Sequence, residues 1–144
     1  MRLKVSALTF ALALFASTSY AALDCTTLAN DPYSTGCATN SFKVNSISYS
    51  GHTVELWYST SCKTNWAVVK SSTSQSLKAI VEKQGASGTF CWFRFSPATN
   101  VWTNMIPCPD GTCKARACDL SAYYNNSSAR GSNCSAQGCC TGYF

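Results

Sequence analysis

The chain has 144 residues, with eleven basic and six acidic side chains, ten cysteines and one histidine. That length fits one domain, and a charged fraction of 12%, about half the usual ~25%, excludes a charge-rich disordered chain, a coiled coil or an acidic tail. A lone histidine, His52, excludes any site built on two imidazoles, the usual histidine-rich zinc hydrolase sets among them.

Residues 1–21 read as a secretory leader. Arg2 and Lys4 give the positive start, and residues 5–15 (VSALTFALALF) are an apolar stretch too short for the ~20 residues of a membrane span. Ser19 and Ala21 are the small residues of a cleavage site. Its removal leaves nine basic against six acidic residues. That mild excess lacks the basic stripe that nucleic-acid binding needs. No other apolar run is long enough to span a bilayer, so the expected product is secreted, extracellular or periplasmic.

Residues 25–41 carry Asn30-Asp31-Pro32 and Ser34-Thr35-Gly36 and read as loop. Phe42 and Val44 then alternate with polar residues. Ile47 and Tyr49 do so in the opposite phase, which predicts a bulge near Asn45. A turn at Ser50-Gly51-His52 precedes the clearest strand, 53–59 (TVELWYS). It places Val54, Leu56 and Tyr58 on one face and Glu55 and Trp57 on the other. A short apolar run at 66–69 and a polar loop at 71–76 follow. Residues 77–83 alternate as a strand with Leu77, Ala79 and Val81 on one face; a short helix is the alternative.

After a turn at 85–88, residues 89–96 (TFCWFRFS) are strongly β-prone. Cys91, Phe93 and Phe95 share one face, and Phe90, Trp92 and Arg94 the other. Pro97-Ala98-Thr99-Asn100 reads as a turn and 101–106 as a strand. Residues 112–118 form the last strand, after the Asp110-Gly111 turn. Six or seven strands at this spacing predict an all-β fold, a small disulfide-stabilised sandwich or barrel over residues 22–120. Residues 121–144 shift to Ser, Asn, Gly and three cysteines. They read as a Cys-rich C-terminal extension stapled to the β domain.

All ten cysteines follow the leader: Cys25, Cys37, Cys62, Cys91, Cys108, Cys113, Cys118, Cys134, Cys139 and Cys140. An even count in an oxidising compartment predicts disulfides rather than a metal site, and no motif calls for a cofactor. A bridge between Cys25 and Cys37 would close a short turn-rich loop. Cys108 and Cys113 flank Pro109-Asp110-Gly111, which suits a hairpin staple. Adjacent Cys139 and Cys140 are expected to pair elsewhere, because bonding each other would strain the intervening peptide.

Three stretches together resemble the YjfA-type family of small secreted bacterial proteins: Asp31 to Cys37 (DPYSTGC), Val54 to Ser59 (VELWYS) and Cys62 to Ala67 (CKTNWA). Trp102 to Ile106 (WTNMI) and Lys114 to Cys118 (KARAC) are similar to its closing strands. The likeness covers about residues 25–119. It implies a secreted β-rich domain of unknown function and supplies no catalytic residue. Where the family usually has an arginine, this chain has Trp57. The resemblance also implies Cys25–Cys37 and Cys62–Cys118 as inherited bridges, with the other six cysteines added in this member.

The acids offer little catalysis. Asp31 and Asp110 sit in turn motifs, and His52 and Glu55, three apart, point to opposite faces of a strand. A glycosidase would need two facing carboxylates; Glu55 and Asp119 are the candidates, with nothing in the sequence to bring them together. There is no nucleophile elbow and no phosphate-binding glycine motif. The aromatics are better material. By strand phase Trp57 faces outward beside Glu55, and Trp92 outward beside Arg94. Such a pair could stack on sugar rings or on a protein partner. The expected function is a secreted binding or structural module whose ligand is a polysaccharide or a protein surface. An inhibitor or toxin acting through the Cys-rich tail is the alternative, and a small hydrolase has least support.

Overall fold

The computed structural model describes residues 30–85, 90–109, 113–121, 134–135 and 138–144, with the backbone alone at 90, 92–96, 134, 135 and 138. The expected leader at 1–21, Cys25, residues 86–89 and 110–112, and most of the tail lie outside the described residues.

The described chain is all-β apart from short helical turns. A 3-10 helix, Cys37–Asn40, leads into β1 (Ser41–Tyr49), β2 (His52–Ser59), β3 (Thr64–Lys83), β4 (Phe90–Trp102), β5 (Ile106–Pro107), β6 (Ala115–Asp119), β7 (Cys134–Ser135) and β8 (Gly138–Cys140). They form one 8-stranded sheet in the order β1-β2-β3-β6-β8-β7, with β4 and β5 also paired to β3. The sheet curls into a nearly closed barrel. β2 meets β6 although neither pairs with the other in the ladder.

The β1–β2 hairpin shows how local sequence sets register. Tyr49 pairs with His52, leaving Ser50 (φ 42°) and Gly51 (φ 79°) as a two-residue loop. Two positive φ values in succession match the right-handed twist of a hairpin. A Cβ at Gly51 would also lie 2.6 Å from Ser72 Oγ, so glycine is required there. His52, expected in the turn, instead opens β2. The bulge expected near Asn45 is present, the register shifting between Lys43 and Asn45.

β3 organises the fold and departs most from expectation. Residues 71–76, expected as a loop, are the middle of a 20-residue strand, and 77–83 is strand rather than helix. The first half of β3 pairs with β2, from Thr64–Ser59 to Ser71–His52. Its second half pairs with β4 on one side and β6 on the other. Pro97-Ala98-Thr99-Asn100, expected as a turn, lies inside β4. Leu77 pairs with Phe95 and Gln75 with Ala98, so Ser96 and Pro97 together oppose the single residue Ser76. A bulge tolerates proline because it needs no ladder N–H there. The strand predicted over 101–106 is broken at 103–105, and β6 is not the last strand, because β7 and β8 of the tail join the same sheet.

The barrel interior holds Val54, Leu56, Ala67, Val69, Leu77, Ala79, Val81, Cys91, Val101, Ile106, Ala115 and Ala117. Alanine at four of these positions suits a narrow interior, where small and large side chains must alternate. A second cluster lies on the outer face of the first half of β3: Cys37, Trp66, Val68 and Met105, with Ala38, Trp57, Cys62 and Trp102 packed against it. The 3-10 helix segment supplies Cys37 and Ala38 to this cluster, so this part of the sheet is covered on both faces.

The disulfides correct the pairing that the family resemblance implied. Cys37 is bonded to Cys62, and Cys118 to Cys140. Cys25–Cys37 and Cys62–Cys118 are thereby ruled out. The sequence places Cys37 nearest Cys25, but the fold lays the 3-10 helix over the β2–β3 turn that carries Cys62. Cys118 faces its own register partner on β8. Cys108 is bonded to Cys113, as expected. Cys91 and Cys139 are also disulfide-bonded, and there is no free cysteine among the described residues.

Candidate functional site: an aromatic face with a paired carboxylate

Alternation along β2 sends Glu55 and Trp57 away from the barrel interior, as expected. Their environment is not open solvent. Trp57 pairs with Trp66 across β2–β3, and their rings stack with centroids 6.2 Å apart and planes 14° apart. Trp57 is half-buried and Trp66 buried. Trp102, on β4 opposite Val68, adds a third indole. Tyr33, 51% exposed, meets the Trp102 ring edge-on at 4.8 Å.

Two carboxylates organise these rings. Glu55 is only 4% exposed. Its Oε1 accepts from Lys43 Nζ at 3.3 Å. Its Oε2 accepts from Lys70 Nζ at 2.9 Å and from Trp57 Nε1 at 3.0 Å. Burial alone would raise the Glu55 pKa, but Lys70, Trp57 and Lys43 outweigh it and hold the carboxyl below its ordinary value. Asp31 Oδ1 accepts from the backbone N–H groups of Tyr33 at 2.9 Å and Ser34 at 2.8 Å. Its Oδ2 accepts from Trp102 Nε1 at 2.8 Å. Here too burial acts upward, and the hydrogen bonds from Trp102 and the turn hold the pKa below its ordinary value. The Asp31-Pro32 motif, legible only as a turn, therefore also fixes Tyr33 against Trp102.

The buried indole of Trp66 has no such partner. Trp66 Nε1 is buried without a hydrogen bond, facing the Tyr33 hydroxyl outside normal hydrogen-bond geometry. Partial burial raises the pKa of that hydroxyl; Trp66 opposes the rise, and the charges of Glu55 and Asp31 add to it.

Trp57 and Trp92 do not fall at neighbouring register positions. Trp57 pairs with Trp66 near the start of β3 and Trp92 with Ile80 near its end, so opposite ends of the strand separate them. Arg94 is at the register position of Lys78; the side chains of Trp92 and Arg94 are outside the described residues. Trp102 and Tyr33 take the place that sequence phase gave to Trp92. Sequence reasoning missed both, because Trp102 stood in an expected strand of unknown neighbours and Tyr33 in a loop.

A second polar cluster lies where β2 approaches β6. His52 Nδ1 donates to Asp119 Oδ2 at 2.7 Å, and Tyr49 Oη donates to the same oxygen at 2.5 Å. The backbone N–H of Ser121 donates to Asp119 Oδ1 at 2.7 Å. Gln75 Nε2 donates to His52 Nε2 at 2.9 Å and to Ser71 Oγ at 2.6 Å. Asp119 is fully buried. Burial alone would raise its pKa, but hydrogen bonds from His52, Ser121 and Tyr49 hold it below the ordinary value. Tyr49 is pushed far above its ordinary value by burial, then by the Asp119 charge and the hydrogen bond to it.

This is not a hydrolytic triad. Gln75 occupies the His52 nitrogen that a serine would need. Nor do Glu55 and Asp119 face one another: Glu55 is on the outer face, Asp119 on the inner with His52. Among the described residues no three His, Cys, Asp or Glu side chains converge on a possible metal site, and no helix is long and apolar enough to cross a membrane.

Fold and site define a disulfide-bonded all-β module with an aromatic outer face. Residues 25–138 match the family described as "Protein of unknown function (DUF2690)", and the chain belongs to that family. The match runs past residue 119 into the tail, through β7 and up to the first residue of β8. No curated protein and no solved structure matches the chain.

Proposed function

We propose that this protein is a secreted binding module that holds a polysaccharide against the face formed by Tyr33, Trp57 and Trp102. The observation that carries the reading is the exposure gradient over one patch. An exposed Tyr33 and two half-buried indoles surround a buried, unpartnered Trp66 N–H. Aromatic rings present apolar faces to sugar rings, and polar tips give direction. Exported location is supported by the leader read at residues 1–21 and by the disulfides, which persist in oxidising compartments. The YjfA-type residues lie within the family match, and we read the chain as that type of member.

A reading as an enzyme lacks support at both carboxylate sites. Glu55 and Asp119 are held below their ordinary pKa values and each accepts three hydrogen bonds, so neither suits a general acid. The tail as an independent active loop is disfavoured by its C-terminal end. Thr141 N donates to Ala117 O at 2.9 Å, and Ala115 and Phe144 exchange backbone hydrogen bonds at 2.9 and 3.0 Å.

The test is retention of the refolded mature protein on a glycan array and on insoluble polysaccharides, with Trp57→Ala and Tyr33→Ala as variants. Retention by the parent and its loss in both variants is expected. Retention unchanged in both, or capture of a protein partner with no glycan bound, overturns the reading.

A further inference from the structure

The hydrogen-bonding inventory of the same face narrows its ligand. We infer that the polysaccharide is acidic, with sugar rings carrying free carboxylates; this rests on the binding reading above.

Every carboxylate oxygen at the site already accepts. Asp31 Oδ1 takes two backbone N–H groups and Oδ2 the Trp102 indole. Glu55 Oε1 takes Lys43, and Oε2 takes Lys70 and Trp57. The donors are in surplus. An ammonium group has three N–H donors, and Lys43 and Lys70 each direct one at Glu55. Their side chains are 45% and 48% exposed, so the remaining donors face outward. The Trp66 N–H is unpartnered, and a buried donor without an acceptor is destabilising.

A neutral glycan brings hydroxyls that must donate as well as accept, and the site has few free acceptors for them. A sugar carboxylate only accepts. The exposed ammonium groups of Lys43 and Lys70 supply the counter-charge for that carboxylate. The rings stack on Trp57 and Trp102, with the carboxylate towards Lys43 and Lys70. Displacement of the Tyr33 ring, which is mostly exposed, brings a ligand oxygen to Trp66 Nε1.

The experiment is affinity electrophoresis through polygalacturonate, alginate and hyaluronan, each paired with its methyl-esterified form, which keeps the chain and removes the charge. At about 0.1 M salt at least one acid form is expected to bind about ten-fold tighter than its ester, with the difference lost near about 1 M salt. Lys43→Gln and Lys70→Gln are expected to abolish the difference, and the Arg variants to keep it. A glutamine amide can still donate to Glu55, so the fold is retained, and near-UV circular dichroism checks this. Equal binding of acid and ester forms, still lost in Trp57→Ala, overturns the acidic-ligand inference and leaves the binding reading standing. Binding to no polysaccharide of any kind overturns both.

Discussion

His52 and Asp119, 67 positions apart in sequence, meet at 2.7 Å through Nδ1 and a fully buried carboxylate. The contact joins β2 to β6 where no ladder hydrogen bonds do. Tyr49 from β1 adds its hydroxyl to the same oxygen, and Ser121, which donates its N–H to Asp119, accepts from Lys78 N of β3 at 2.8 Å. One carboxylate therefore ties four strands along the unpaired seam between β2 and β6.

Replacing Asp119 by Ala leaves His52 and Tyr49 without their shared acceptor. Breaking a buried charge-assisted pair costs about 3–5 kcal/mol. Urea denaturation under non-reducing conditions is expected to show a loss of that order, with an unchanged m-value. A loss below about 1 kcal/mol would show that the seam is closed by packing alone.

Acid is expected to open the same seam. Asp119 and Glu55 both have folded pKa values below their unfolded ones. Their stabilisation is therefore full above the unfolded values, near about 4, and is lost as pH falls through the lower folded values. Denaturation midpoints measured from neutral to about pH 2 should fall steeply below about pH 4. In Asp119→Asn the fall should be shallower. An identical slope in that variant would contradict the assignment.

The Cys37–Cys62 bridge clamps the Tyr33 turn and 3-10 helix onto the aromatic cluster. On chain-entropy grounds a loop with a sequence separation of 25 is worth about 3.5 kcal/mol. The double variant Cys37→Ser, Cys62→Ser is expected to lose about that much stability. It should also red-shift tryptophan emission, as the cover over Trp66 loosens. Unchanged emission would show that the turn is held by Asp31 alone.

Tyr33 separates binding from stability. Its ring is mostly exposed and its turn is held by Asp31, so Tyr33→Ala should change stability by less than about 0.5 kcal/mol. Glycan affinity should drop about ten-fold or more, as for an aromatic anchor. Calorimetric melting beside glycan retention checks both. Equal loss of stability and retention would make Tyr33 a packing residue.

The alternation in TVELWYS already told which face Val54 and Leu56 bury and that Glu55 and Trp57 share the other. The phase change before Ile47 gave the bulge, and Leu77, Ala79 and Val81 gave the core side of β3. Residues 71–76 and Pro97 misled because their local signals favour turns. Facing one another in a bulged stretch, they instead make two strands bend. That bend depends on pairing, which composition does not carry. The outward Trp57 was legible, but the cover over it was not. Its neighbours Tyr33 and Trp102 come from a loop and a distant strand. His52 stood in the core phase of Val54 and Leu56, which is a signal that a buried imidazole needs a partner; only the fold shows that partner to be Asp119.

Glycan binding at the face around Trp66 is read by following indole ¹H–¹⁵N resonances during titration with polysaccharide fragments. The chain has four tryptophans, so each N–H can be assigned by single substitution to Phe. The Trp66 and Trp102 resonances, and that of Trp57 through its bond to Glu55, are expected to shift together and saturate at one affinity. Trp66 should move downfield as it gains an acceptor. Binding that leaves all three unmoved would contradict the account.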